Sequence, residues 1–181
     1  MLITCSNTIA FVVDIQERLF PHINNHSQLE KNINTLLQGL KALEVQTFVF
    51  EQYTKGLGTT IASIKSTLGE AYAPVEKICF SVLGDDANVK LLRDTNKKRV
   101  IVCGIETHVC ILQTALDLVE RGYTPVIPVD CVGSRSELDH SIAIERLRTE
   151  GAIITTKESI LFELLRIAGT EQFKSISQLV K

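Results

Sequence analysis

A single thiol stands out by its setting. Cys110 closes the run Val100–Cys110, VIVCGIETHVC, in which an apolar strand leads through a Gly104 turn into a helix. A cysteine at the start of a helix lies near unpaired backbone N–H groups, and these favour thiolate over thiol. The same amides can donate to an oxyanion when a carbonyl is attacked. Two further residues supply what thiol chemistry needs. Asp14 ends the apolar run IAFVVD, and Lys77 lies in the extended segment VEKICFS. A lysine lowers a thiol's proton affinity and holds developing negative charge. An aspartate takes the thiol proton and passes it to a leaving amine. Taken singly, each residue has an ordinary explanation: a core cysteine, a helix-capping aspartate, a strand-end lysine with its head in water. Taken together they point to a cysteine hydrolase.

Other residues add less. His108 is two positions from Cys110, about 200° around a helix, so it reads as a flanking residue and not as the base. Turn and helix capping account for Asp130 and Ser134. No GxGxxG or GxxxxGK[ST] loop is present, and Lys55-Gly56-Leu57-Gly58 reads as a flexible turn.

The elements that must position these residues follow from periodicity. Apolar, β-branched runs predict strands at 8–13, 46–50, 75–79, 99–103, 125–129 and 152–155. Leu29, Ile33, Leu36, Leu37, Leu40 and Leu43 recur at helical spacing, as do Ile111, Leu112, Ala115, Leu116 and Val119. Ser136, with Asp139 three residues on, predicts a helix start, and Gly151 its stop. Alternating strands and helices, with both faces of each strand apolar, predict an α/β fold in three layers, a parallel sheet covered on both sides. Ligand crevices in such sheets lie beyond the carboxyl ends of the strands, where Asp14 and the 104–110 turn both fall. The segment 53–72, rich in Gly, Ser and Thr, reads as a surface excursion near that crevice.

Composition sets the outer bounds. The 181 residues suit one domain spanning 1–181, with 45% apolar and 22% charged side chains. A formal charge of −2 gives no footprint for nucleic acid or an anionic membrane. Five cysteines, an odd number without metal-ligand spacing, indicate neither a disulfide framework nor a zinc site. The N-terminus has no basic region before Arg18, and Asp14 cuts its apolar run too short for a membrane span. A cytoplasmic location is expected.

Three motifs then carry a resemblance: D-x-Q at Asp14–Gln16, K-x-x-F-S at Lys77–Ser81, and G-I-x-T-x-x-C at Gly104–Cys110. In this order the chain resembles the isochorismatase-like cysteine hydrolase superfamily, which includes nicotinamidases and N-carbamoylsarcosine amidases. The stretch 51–58 resembles its isochorismatase domain-containing branch. The resemblance implies a six-stranded parallel sheet of Rossmann-like topology and an Asp14–Lys77–Cys110 triad. It also implies a cis peptide between Ile105 and Glu106, with the Glu106 and Cys110 amides as an oxyanion hole. Gln16, Phe20, Gln52, Tyr53 and Thr107 lie close to the motifs and are candidates for lining a substrate pocket. Nicotinamidases carry Asp-x-His where this chain has Glu51-Gln52-Tyr53, so no metal and no cofactor are expected, and nicotinamide is disfavoured. The expected partners are a small-molecule substrate and further copies of the chain, as a homo-oligomer (dimer or tetramer). Two other readings stay open: a binding protein that kept the fold without turnover, and isochorismatase-type vinyl ether hydrolysis.

Overall fold

The computed structural model describes residues 2–181. Its elements run in the order β1 (Thr8–Val13), α1 (His26–Ala42), β2 (Thr47–Gln52), α2 (Thr54–Leu57), α3 (Ala62–Leu68) and β3 (Pro74–Lys77). Next come α4 (Asp86–Asp94), β4 (Arg99–Ile105), α5 (Leu112–Glu120), β5 (Thr124–Pro128) and β6 (Val132–Gly133). The chain ends with α6 (Glu137–Thr149), β7 (Ile153–Thr155), α7 (Lys157–Leu165) and α8 (Glu171–Leu179). All strand pairs are parallel, in the order β3-β2-β1-β4-β5-β7, with the two-residue β6 rejoining the sheet beside the end of β4.

The alternation of side chains along each strand splits the core in two. Ala10 and Val12 of β1 face Ile33, Leu36 and Leu40 of α1, with α3, α7 and α8 on the same side. Ile9, Phe11 and Val13 face the other layer, where Leu92, Ala115, Leu118 and Leu147 of α4, α5 and α6 pack. Residues of β1 and β4 are buried throughout, as expected of central strands covered on both faces. The strand order reverses between β1 and β4, the place where open α/β sheets form their crevice. Asp14 and the turn bearing Cys110 leave the sheet at that place.

Three local readings are corrected. Gly104 is not a turn residue: it lies within β4 with φ +123°, and a Cβ there would stand 2.0 Å from the Val13 carbonyl oxygen. Glycine is needed for close approach of two backbones. The excursion 53–72 is built of α2 and α3, with Ile64 and Leu68 in the core. Cys110 does not open an α-helix but lies in a π-helical turn, Thr107–Ile111, that precedes α5. Elsewhere the capping signals hold: Ser136 Oγ accepts from the Asp139 N–H at 3.3 Å, and Asp130 accepts from the Lys157 N–H at 2.9 Å at the start of α7.

Candidate active site

One half of the site is built from strand ends. Asp14 leaves β1 with φ +55° while its N–H donates to Phe50 O at 3.0 Å. This departure from extended backbone turns its carboxyl group along the sheet edge toward β3. Lys77 Nζ donates to Asp14 Oδ2 at 2.8 Å, and both side chains are nearly sealed from solvent (1% and 2% exposed). The same ammonium donates to Gln52 Oε1 at 2.8 Å, Phe80 O at 3.0 Å and Cys79 O at 3.4 Å. A buried ion pair persists only when its remaining donors are also satisfied, and here they are. The other carboxyl oxygen, Asp14 Oδ1, is buried with no hydrogen-bond partner.

The other half is the turn that carries Cys110. The peptide between Ile105 and Glu106 is cis. The amides of Val109 and Ile111 both donate to Glu106 O, at 3.1 and 3.2 Å, closing the wide turn around Cys110. Three consecutive side chains tie this turn to the 134–140 segment. Glu106 accepts from the Arg135 N–H, Nε and Nη2 at 3.0–3.1 Å, Thr107 Oγ1 meets His140 Nδ1 at 3.0 Å, and His108 Nδ1 meets Ser134 Oγ at 2.9 Å. Burial alone would push the Glu106 carboxyl up; the Arg135 contacts outweigh it and hold the group below its usual range. Burial holds His140 below its ordinary value.

The halves meet electrostatically at Asp14 and Cys110. Burial pushes the Cys110 thiol well up, and the neighbouring Asp14 charge pushes it further, against the pull of Lys77. Burial also raises Asp14, while Lys77 and the Cys110 thiol draw it down and Glu51 adds to the rise. Burial and the Asp14 charge therefore favour Cys110 as a thiol near the unpaired Asp14 oxygen, where amides at a helix start had suggested a standing thiolate. Desolvation outweighs the few amides of a π turn.

The residues expected to line a pocket divide. Gln16 does not line one: it is fully buried, its Nε2 donates to Gln52 O (3.0 Å) and Gly58 O (2.7 Å), and its Oε1 accepts from the Gln52 N–H (2.7 Å). Gln52 is spent on Lys77 and on Ile78 O, the latter at 2.6 Å. Phe20 is a core residue packed edge-on to His26, and Thr107 is fully buried on His140. Tyr53 alone of the five is exposed. Sequence reasoning missed Glu51, a buried carboxylate whose Oε1 accepts from Thr60 N, Thr60 Oγ1 and Tyr72 OH, each at 2.7 Å. A charged residue at the apolar end of β2 was the available signal. Among the described residues, no three His, Cys, Asp or Glu side chains converge on a metal position. No helix among them is long and apolar enough to cross a membrane.

Fold and site together define a doubly wound α/β protein with a thiol, a carboxylate and an ammonium gathered at its switch point. The chain belongs to the isochorismatase family of hydrolases: the family model "Isochorismatase domain" matches residues 8–159. It is 38% identical over 178 residues to the secreted isochorismatase effector Isc1 of Phytophthora sojae, covering 97% of this chain and 85% of that protein. Isochorismatase domain-containing protein 2A of Mus musculus is 36% identical over 175 residues, covering 97% and 83%. Among solved structures, the MAR1 ribonuclease from Caenorhabditis elegans superposes with a TM-score of 0.92 at 34% identity, covering 99% and 92% of the two chains.

Proposed function

We propose that this chain is a cysteine hydrolase that cleaves an amide or related carbon–nitrogen bond of a small molecule through a covalent thiol intermediate. One observation carries the reading: Asp14 presents a buried oxygen without a hydrogen-bond partner, near enough to Cys110 that its charge raises the thiol's proton affinity, while Lys77 holds the other oxygen. An unpaired buried acceptor is costly and marks a group kept for use. As Cys110 Sγ bonds to the substrate carbon, its proton passes to Asp14 and the carbonyl electrons move to oxygen, held by the Glu106 and Cys110 amides. Asp14 then protonates the leaving nitrogen as the C–N bond breaks. Water attacks the thioester, giving one proton to Asp14, and as the carbon–sulfur bond breaks Asp14 returns that proton to sulfur, restoring the thiol. Lys77 keeps the alternating charge stable where both it and Asp14 are buried.

This chemistry draws only on the chain's own groups. The ribonuclease named among its relatives is a different reading, and the −2 charge does not favour it, since phosphate backbones demand a cationic track. Five unpaired cysteines support a reducing, cytoplasmic setting, although one relative is named as secreted. Exposed Leu138 and Ile142, four residues apart on α6, support a homo-oligomer.

The test is turnover of a panel of primary amides and ureides, with quenched samples weighed as intact protein. Wild type is expected to release product and carry an acyl adduct on Cys110, and Cys110→Ala to do neither. Amide turnover surviving in Cys110→Ala would overturn the covalent thiol mechanism. An absence of turnover across the panel would favour a binding protein.

A further inference from the structure

Ser81 closes the K-x-x-F-S motif, yet no step of the proposed reaction uses it. The residue is buried, and its hydroxyl is engaged on both sides. Oγ accepts from the Leu83 N–H at 3.1 Å, capping the short turn Val82–Gly84, and donates to Asp117 Oδ2 at 2.5 Å. The cap needs only the first of these bonds. The second joins residues 36 positions apart. Beside it, the Val82 N–H donates to Thr114 Oγ1 at 3.0 Å, and Val82 O accepts from Asn88 Nδ2 of α4 at 3.0 Å. Thr114 and Asp117 are three residues apart on α5 and share one of its faces. The start of the 81–84 turn is thus fastened to α5 by two bonds.

The residues just before that turn hold Lys77. Its Nζ donates to Phe80 O at 3.0 Å and to Cys79 O at 3.4 Å. Asp14 and Gln52, at the ends of β1 and β2, fix the ammonium to the sheet; these two carbonyls fix it to the loop. Meanwhile α5 continues directly from the turn of Cys110, which ends at Ile111, one residue before the helix begins. Val82 and Leu83 belong to the same apolar cluster as Cys110 and Ile111. One helix therefore bears on both the turn of the thiol and the loop of the ammonium.

We propose that Ser81, Thr114 and Asp117 are positioning residues, which set the Lys77 ammonium relative to the Cys110 thiol by clasping the 79–84 loop to α5. This rests on the cysteine-hydrolase reading above and deepens it. Lys77 draws down the proton affinity of the thiol, and that pull weakens with distance. A slack clasp should therefore leave less thiolate at any given pH.

The test follows iodoacetamide alkylation of Cys110 against pH by peptide mass spectrometry, in variants shown by urea denaturation to be folded. Ser81→Ala and Asp117→Ala should displace the profile to higher pH, read as a fall of about 3-fold or more in rate at one mildly alkaline pH. Thr114→Val should act in the same direction. Asp117→Asn keeps an acceptor for the Ser81 hydroxyl and should restore the rate. In a Lys77→Met background, Asp117→Ala should lower the rate no further, since the clasp acts through the lysine. If Lys77→Met does not fold, the displaced profile and the asparagine rescue still decide. Variants that lose stability while the profile stays in place would overturn the proposal and leave Ser81 a structural cap. So would rates that rise, or an equal fall with and without Lys77. A Cys110 closed to the reagent in wild type would also overturn it, because such a thiol has no ammonium-assisted reaction to align. Turnover does not enter this readout, so a failure of the amide panel counts against the hydrolase reading alone.

Discussion

The strand-borne half of the site and the turn-borne half are held by different physics. Asp14 and Lys77 are locked by burial: their side chains are 2% and 1% exposed and their bonds close on one another and on backbone. The turn around Cys110 is instead tethered by side chains of the 134–140 segment, Ser134, Arg135 and His140, of which Arg135 is largely exposed. Removing one member of a buried pair leaves a charge in low dielectric, whereas removing one tether leaves the others in place. The strand half should therefore break in stability, and the turn half should drift in geometry and pH response.

The sharpest break is Lys77→Met. It strands the Asp14 carboxylate and should cost about 3–5 kcal/mol, read by urea denaturation. It should also raise the Cys110 titration further, because Lys77 is what pulls that thiol down. Asp14→Asn should act in the opposite sense on the thiol, bringing alkylation closer to neutral pH, since the Asp14 charge is one of the causes of the rise. A double variant that loses less stability than the two singles summed would confirm that the pair acts as a unit.

Gly104→Ala tests the seam between the halves. A Cβ would stand 2.0 Å from Val13 O at a φ of +123°, so β1 and β4 must separate or the backbone must change. A loss of about 2–3 kcal/mol is expected, visible as a fall in thermal midpoint. Retention of wild-type stability would mean that the strands are not held as closely as described.

Arg135→Ala loosens the first tether. The Glu106 carboxyl is held below its ordinary range, so its contribution is present above the ordinary carboxyl value and fades as pH falls through the folded value. Since Arg135 is 60% exposed, the loss should be no more than about 1 kcal/mol near neutral pH. It should shrink in acid, where wild type has already lost the interaction. Stability measured at two pH values reads this; a deficit that grows in acid would contradict the pairing.

Much of this contrast was legible in the sequence, and unevenly so. The strand ends were readable because central parallel strands must be apolar on both faces. A single aspartate or lysine at the end of such a run stands out, as Asp14 and Lys77 do. The six main strands were located to within about two residues each, whereas β6, at two residues, is too short to carry a pattern. The turn half was less readable. Its extra residue per turn arises with contacts from Arg135 and His140, about thirty positions away, and local periodicity cannot report them. The same limit misled the reading of Gln16 and Gln52. Nearness to a motif does not tell whether an amide faces substrate or, as here, is consumed by backbone groups. Gly104 shows a related ambiguity, because a glycine after an apolar run serves a turn or a close strand approach equally well.

The smallest effect separates positioning from stability. Thr107→Val keeps the shape of a fully buried side chain but removes the bond to His140 Nδ1. One neutral hydrogen bond contributes about 1 kcal/mol, so the fold should persist. The turn, however, is then free to shift by fractions of an ångström, and reaction rates are sensitive to displacements of that size. Once a substrate is in hand, kcat should fall several-fold while KM stays near its wild-type value, because the loss concerns alignment of the thiol and amides in the transition state. His140→Phe should reproduce the kcat effect, and combining it with Thr107→Val should add little, since both remove the same bond. If the double variant instead multiplies the single losses, Thr107 and His140 act separately. The turn would then be held mainly by Glu106 and His108.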